Sequence, residues 1–301
     1  MIIGKNFLSG RIETGLKSGD EYLLKRISHF IILICLPLFC GVLSGQKLAI
    51  RENQNQETIE TKILPPQGFK RIPVNPGSFA DWLRKLSLLS AGSPVLDYRS
   101  RDFKSPVDTT VAAVISMDVS GRKLWQCMDI LIVLHTEYLL RKGKRHEVSG
   151  LLPDGTLLSW KQWSHGFRSD FAGVRYSIHK KASADSTEKN FYRYLNHLFE
   201  LSGTQAFYHF YPTIDPKELQ IGDFIVKKGN KGHAVMIMDL AVDQAGKLLA
   251  LIGQGDTPAC QFYILNYRKD NPWFPIDITT DKLPLPIKKE MFWQGLRRFP
   301  D

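Results

Sequence analysis

The most constraining stretch of this 301-residue chain runs from Gly222 to Gln254 and reads GDFIVKKGNKGHAVMIMDLAVDQAGKLLALIGQ. Gly222-Asp223 opens a strand at Phe224 to Lys227, and the apolar run from Ala234 to Leu240 predicts a second. Asp243-Gln244-Ala245-Gly246 reads as a tight turn, so Leu248 to Ile252 pairs back on the strand before it. Gln261 to Leu265 adds one more. Strands joined by such short turns must lie antiparallel.

The half of the chain ahead of this sheet is richer in helix. Ser78 before Phe79-Ala80-Asp81 predicts a capped helix through about Leu89. Thr110 to Met117 is rich in β-branched residues and reads as a buried strand. From Leu124 to Leu140, Leu124, Met128, Leu131, Leu134 and Tyr138 recur at helical spacing. Phe191 to Leu201 forms a second amphipathic pattern, with Gly203 as its C-cap. Pro272, Pro275, Pro284 and Pro286 suggest a C-terminal stretch wrapped over the surface. The fold class expected is α+β, with N-terminal helices packed on an antiparallel sheet.

An apolar fraction of 43% with 23% charged residues excludes a disordered chain, a collagen-like repeat and a multi-pass membrane protein. No linker or repeat interrupts residues 65–301, which therefore read as a single domain. Four cysteines, Cys35, Cys40, Cys127 and Cys260, are too few for a disulfide-stapled scaffold or a thiolate zinc module.

Phe30 to Leu43 is a charge-free apolar run of 14 residues behind Lys25 and Arg26. A spanning helix needs about 17–25 residues, so residues 1–45 read as a signal peptide, with an N-terminal anchor or a lipid on Cys40 as alternatives. Residues 46–64 are polar and read as a tether. Export to the periplasm or cell envelope is the expectation, with membrane attachment through the N-terminus as the variant. The net charge of +10 suits anionic envelope polymers or a membrane surface, and no nucleic-acid recognition motif is present. The basic cluster Arg141 to Arg145 reads as a solvated helix end.

Chemistry concentrates on three residues. Cys127 lies at the start of the long helix, where unpaired backbone N–H groups and the helix dipole favour a thiolate. His233 immediately precedes a strand, where it would point out of the sheet edge. Gln254 ends the next strand at a comparable height, so its amide can fix the histidine tautomer. Together they form a nucleophile, base and orienter. Gln126 stands beside the Cys127 backbone N–H as an oxyanion donor, and Asp256 is the substitute orienter. Asp239, roughly 20 Å along the same strand, is too far from His233. Asp223 serves its turn. The alternatives are a buried structural Cys127, a Cys127–Cys260 disulfide and a turn role for His233. No metal-helix spacing and no phosphate-cradling loop occurs, so neither a metal nor a cofactor is expected. Trp160 and Trp163 read as core or as the lining of a glycan or peptide cleft.

The run GDFIVKKGNKGHAVMIMDLA followed by LLALIGQG resembles the sheet core of the NlpC/P60 and CHAP branches of the papain-like cysteine peptidases. That resemblance implies a papain-like core, with catalytic roles carried onto Cys127, His233 and Gln254. Here Met128-Asp129 follows the cysteine in place of small residues, and the spacing to His233 requires an insertion. The stretch from about Pro65 to Phe299 is also similar to a bacterial family of unknown function, domain family 4846. The pieces GFKRIPV, GSFADWLRKLSL, WQCMDILIVLHTEYL, LLALIGQGDTPACQFYIL and NPWF carry that similarity, which brings no activity. The function expected is an exported thiol hydrolase, a peptidase or amidase on cell-wall peptide or another envelope amide. The alternative is a non-catalytic envelope binding or scaffolding protein with the same fold.

Overall fold

A computed structural model describes residue 50, residues 57–229 and residues 231–300, all within a single unit bounded by residues 44 and 301. The signal or anchor segment 1–45, with Cys35 and Cys40, lies outside the described residues, as does most of the tether. Among the described residues no helix is long and apolar enough to cross a membrane.

A large antiparallel sheet organises the chain. Its strands, in chain order, are β1 (Lys70–Arg71), β2 (Val111–Val114), β3 (Phe224–Lys227), β4 (His233–Val242), β5 (Leu248–Gln254), β6 (Tyr263–Leu265), β7 (Trp273–Pro275) and β8 (Leu296–Arg297). They lie in the order β8-β3-β4-β5-β6-β2, with β1 added on β4 and β7 on β5. The β4–β5 hairpin is closed as predicted: the Asp243 N–H donates to the Lys247 carbonyl, and Gly246 takes the left-handed φ of +82° that the turn demands. Both strands run longer than their apolar cores, so His233 and Gln254 are the terminal residues of paired strands.

Side chains alternate across this sheet. Ala234, Met236 and Met238 join the apolar cluster that contains Ile130, Leu131 and Leu134. Val235, Ile237 and Ile252 join a second cluster with Phe274 and Leu296. Two covered faces explain why β4 is apolar at nearly every position.

Among the described residues six α-helices accompany the sheet: α1 (Ile59–Lys62), α2 (Phe79–Arg84), α3 (Cys127–Arg141), α4 (Trp160–Ser164), α5 (Glu188–Leu201) and α6 (Thr204–Phe210). α2 starts on its Ser78 cap but stops at Arg84, short of the predicted Leu89. Leu88 instead bridges to Ile115 and extends the sheet's pairing. α5 ends on Ser202, and Gly203, predicted as its C-cap, has an extended φ of −167° and opens α6. Residues 57–64 do not continue a tether: α1 buries Ile59, and the Ile59 and Ile63 carbonyls accept from Arg71. The C-terminal stretch does more than wrap the surface, because β7 and β8 are strands of the main sheet. Trp160 and Trp163 belong to the core, where the Trp163 indole N–H donates to Asn190 at 3.0 Å.

Candidate active site

α3 begins at Cys127, later than the periodicity of its apolar residues suggests, so the thiol stands at the first helical position. The backbone N–H of that position has no acceptor inside its own helix. Close packing brings this helix end to the sheet: a Cβ on Gly255, just past β5, would lie 2.8 Å from Ile130. The Gln126 N–H donates to Asp129 Oδ2 at 3.2 Å, closing the first turn. The Gln126 side-chain oxygen accepts from the Thr257 hydroxyl at 2.9 Å, which ties the helix start to the loop after β5.

His233 is almost fully buried, at 1% exposure, and does not project from the sheet edge as expected. On β4 it shares the face of Val235, and Gln254 on β5 shares that face diagonally. The predicted hydrogen bond between them is present: His233 Nε2 and Gln254 Oε1 lie 2.7 Å apart. The Gln254 amide nitrogen in turn donates to the Tyr263 hydroxyl at 2.6 Å. Lys289 Nζ stands 3.2 Å from His233 Nδ1. An ammonium can only donate, so Nδ1 must accept and Nε2 must carry the proton that Gln254 receives. The tautomer thus follows from the partners. Tyr263 and Lys289 are the members of this chain that sequence reasoning missed. Tyr263 lies inside a predicted strand with nothing to mark it, and Lys289 comes from a proline-rich stretch read as surface.

Cys127, Gln126, Asp129, Thr257, Lys231 and Lys289 are among the residues lining a cavity of about 410 Å³ at this end of the sheet. Among the described residues no hydrogen bond joins the Cys127 thiol to His233. Burial pushes that thiol up to about 11, against the opposing effects of Lys289 and the backbone N–H of Ala234, next to His233 on β4. The resting site therefore holds a thiol, and desolvation outweighs the helix-end preference for a thiolate. Burial lowers the pKa of His233, which Gln254 opposes and Lys289 reinforces, so the imidazole rests neutral. Cys260 is buried and, like Cys127, a free thiol. Asp256 does not orient His233; its carboxylate meets Lys289 at 3.4 Å. Asp223 caps its turn by accepting the Gln220 N–H and pairs with Arg298. Asp239 is fully buried between Arg71 and Arg84, far from any catalytic role. Among the described residues no group of three or more His, Cys, Asp or Glu side chains could hold a metal.

No curated protein and no solved structure matches the chain. The family model described as domain of unknown function 4846 matches residues 59–292, from the first turn of α1 almost to the edge strand β8, and the chain belongs to that family.

Proposed function

We propose that this protein is a thiol hydrolase of amide bonds, exported to the cell envelope, with a papain-like arrangement of Cys127, His233 and Gln254. The observation that carries the reading is the 2.7 Å bond from Nε2 to Gln254, which leaves Nδ1 as the basic nitrogen of a buried, neutral imidazole. A buried glutamine that fixes a histidine tautomer and is itself held by Tyr263 is what a base needs to keep one orientation.

In this mechanism the thiol and base act in concert, since the thiol is protonated at rest. Nδ1 takes the Cys127 proton as sulfur attacks the carbonyl carbon, and the Cys127 backbone N–H at the helix start stabilises the oxyanion. Collapse breaks the C–N bond, the imidazolium returns its proton to the leaving amine, and a thioester remains. Water, deprotonated by Nδ1, then releases the acid and restores the thiol. Lys289 occupies Nδ1 at rest and must move before the first step.

The test is labelling of Cys127 by iodoacetamide across pH, read by mass spectrometry, on wild type and His233→Ala, together with release of new amines from cell-wall peptide. Hydrolysis lost in Cys127→Ala and His233→Ala, and reduced about 10- to 100-fold in Gln254→Ala, is the expected outcome. Identical labelling in wild type and His233→Ala, with no amine released, would leave Cys127 a packing residue and favour a non-catalytic binding protein.

A further inference from the structure

Two residues that line the cavity at Cys127, Asp129 and Ser202, each carry a buried polar atom, Oδ1 and Oγ, with no hydrogen-bond partner among the described residues. Both residues are more than nine-tenths buried, and both line the cavity. Such atoms are costly in a folded protein, and two in one cavity indicate that the site is completed by something it binds.

The remaining lining tells what that is. Lys289 has three N–H donors and two partners, His233 Nδ1 at 3.2 Å and Asp256 Oδ1 at 3.4 Å. Charge-assisted hydrogen bonds normally close to about 2.7–2.9 Å, so this ammonium is loosely held on a flexible stem. Lys231 places a second cation on the lining. The start of α3, a 15-residue helix, adds the positive end of its dipole. Burial shifts the Asp129 carboxyl toward its protonated form, and Oδ2 already accepts from Gln126, so a proton held there sits on Oδ1 and can donate. The ammonium can only donate, and the hydroxyl and the protonated carboxyl can donate as well. They suit a group made of acceptor oxygens and carrying negative charge. Asp256, close to Lys289, offsets part of the cationic charge and so favours a singly charged group over a doubly charged phosphate.

We infer that this cavity binds a carboxylate of the substrate, and that Lys289 swings from His233 to receive it, freeing Nδ1. The second half rests on the hydrolase reading above; the binding itself does not. Substrate would then complete the catalytic base by arriving, and amides lacking a nearby carboxylate would leave Lys289 where it is.

The experiment uses Cys127→Ala, which binds but cannot hydrolyse. Glutarate is titrated by calorimetry, and the His233 ring nitrogens are followed by ¹⁵N NMR. Saturable binding, with the Nδ1 resonance moving as Lys289 leaves it, is expected. Adding Lys289→Met should weaken glutarate about tenfold or more, and Lys289→Arg should retain it. Absence of saturable glutarate binding, an unmoved Nδ1 resonance, or equal affinity in Lys289→Met overturns the proposal. Tighter binding of inorganic phosphate than of glutarate overturns the carboxylate assignment. The Nδ1 shift is read on the Lys289-containing protein and so decides the matter even where Lys289→Met fails to fold. Glutarate binding without any hydrolysis by wild type would remove the hydrolase and leave the carboxylate site standing.

Discussion

The two ends of β4 bury polar groups in opposite ways. Toward its C-terminal end Asp239 accepts from Arg71 at 2.6 Å and Arg84 at 2.7 Å, and from the Leu240 N–H at 2.8 Å. Arg71 Nη2 donates to the Ile59 and Ile63 carbonyls, and Arg84 Nη2 donates to the Ile72 carbonyl. Both carboxylate oxygens and both arginines there have partners. At the other end, His233 and Gln254 are satisfied, while Lys289 meets Asp256 only at 3.4 Å, and Asp129 Oδ1 and Ser202 Oγ have no partner among the described residues. Satisfaction marks the first cluster as structural, holding α1, α2 and β1 to the sheet. Incompleteness marks the second as a place for a ligand.

Breaking the satisfied cluster should have the largest effect. Arg84→Met takes from the Asp239 carboxylate its buried partner and leaves the partly exposed Arg71, and about 3–5 kcal/mol of stability should be lost in urea unfolding. A loss below about 1 kcal/mol would erase the contrast between the two ends.

Stability against pH gives the next effect. Burial raises the Asp129 carboxyl well above its ordinary 3.8, so the folded state keeps a proton that the unfolded chain releases. The resulting stability is fully present below the unfolded pKa and is lost as pH rises through the folded one. Wild type should therefore become less stable through that window, with a slope of up to about 1.4 kcal/mol per pH unit. Asp129→Asn should flatten this part of the profile, and an unchanged profile would mean that Asp129 is ionised in the fold.

The smallest effect is expected at Ser202. Its hydroxyl has no partner to lose among the described residues, so Ser202→Ala should change stability by less than about 1 kcal/mol or raise it slightly, while weakening glutarate binding. A loss of stability as large as that of Arg84→Met would show that the hydroxyl is structural after all.

The antiparallel hairpin of β4 and β5 was legible because a turn signal and two apolar runs are local features. The same holds for α3 and α5, whose periodicity crosses their whole length. Ser78 capped its helix as expected, yet α2 ended early, because Leu88 bridges to Ile115 and that pairing is remote in sequence. Gly203 departs from its expected cap for a related reason: a glycine after a helix signals a cap only when the chain turns left-handed there, and here it leads straight into α6.

Local sequence signals suffice for the hairpin that brings His233 and Gln254 to one level, and with it the hydrogen bond between them. Strand alternation and register are set by spacing along the chain, so two residues sufficed to predict that contact. What faces the other imidazole nitrogen is settled by long-range packing. Lys289 arrives from a segment 56 residues further on, and no local pattern could announce it. Burial was likewise decided by packing: it held Cys127 as a thiol against the helix end's pull, because desolvation depends on everything that surrounds a group, and sequence position records only its neighbours in the chain.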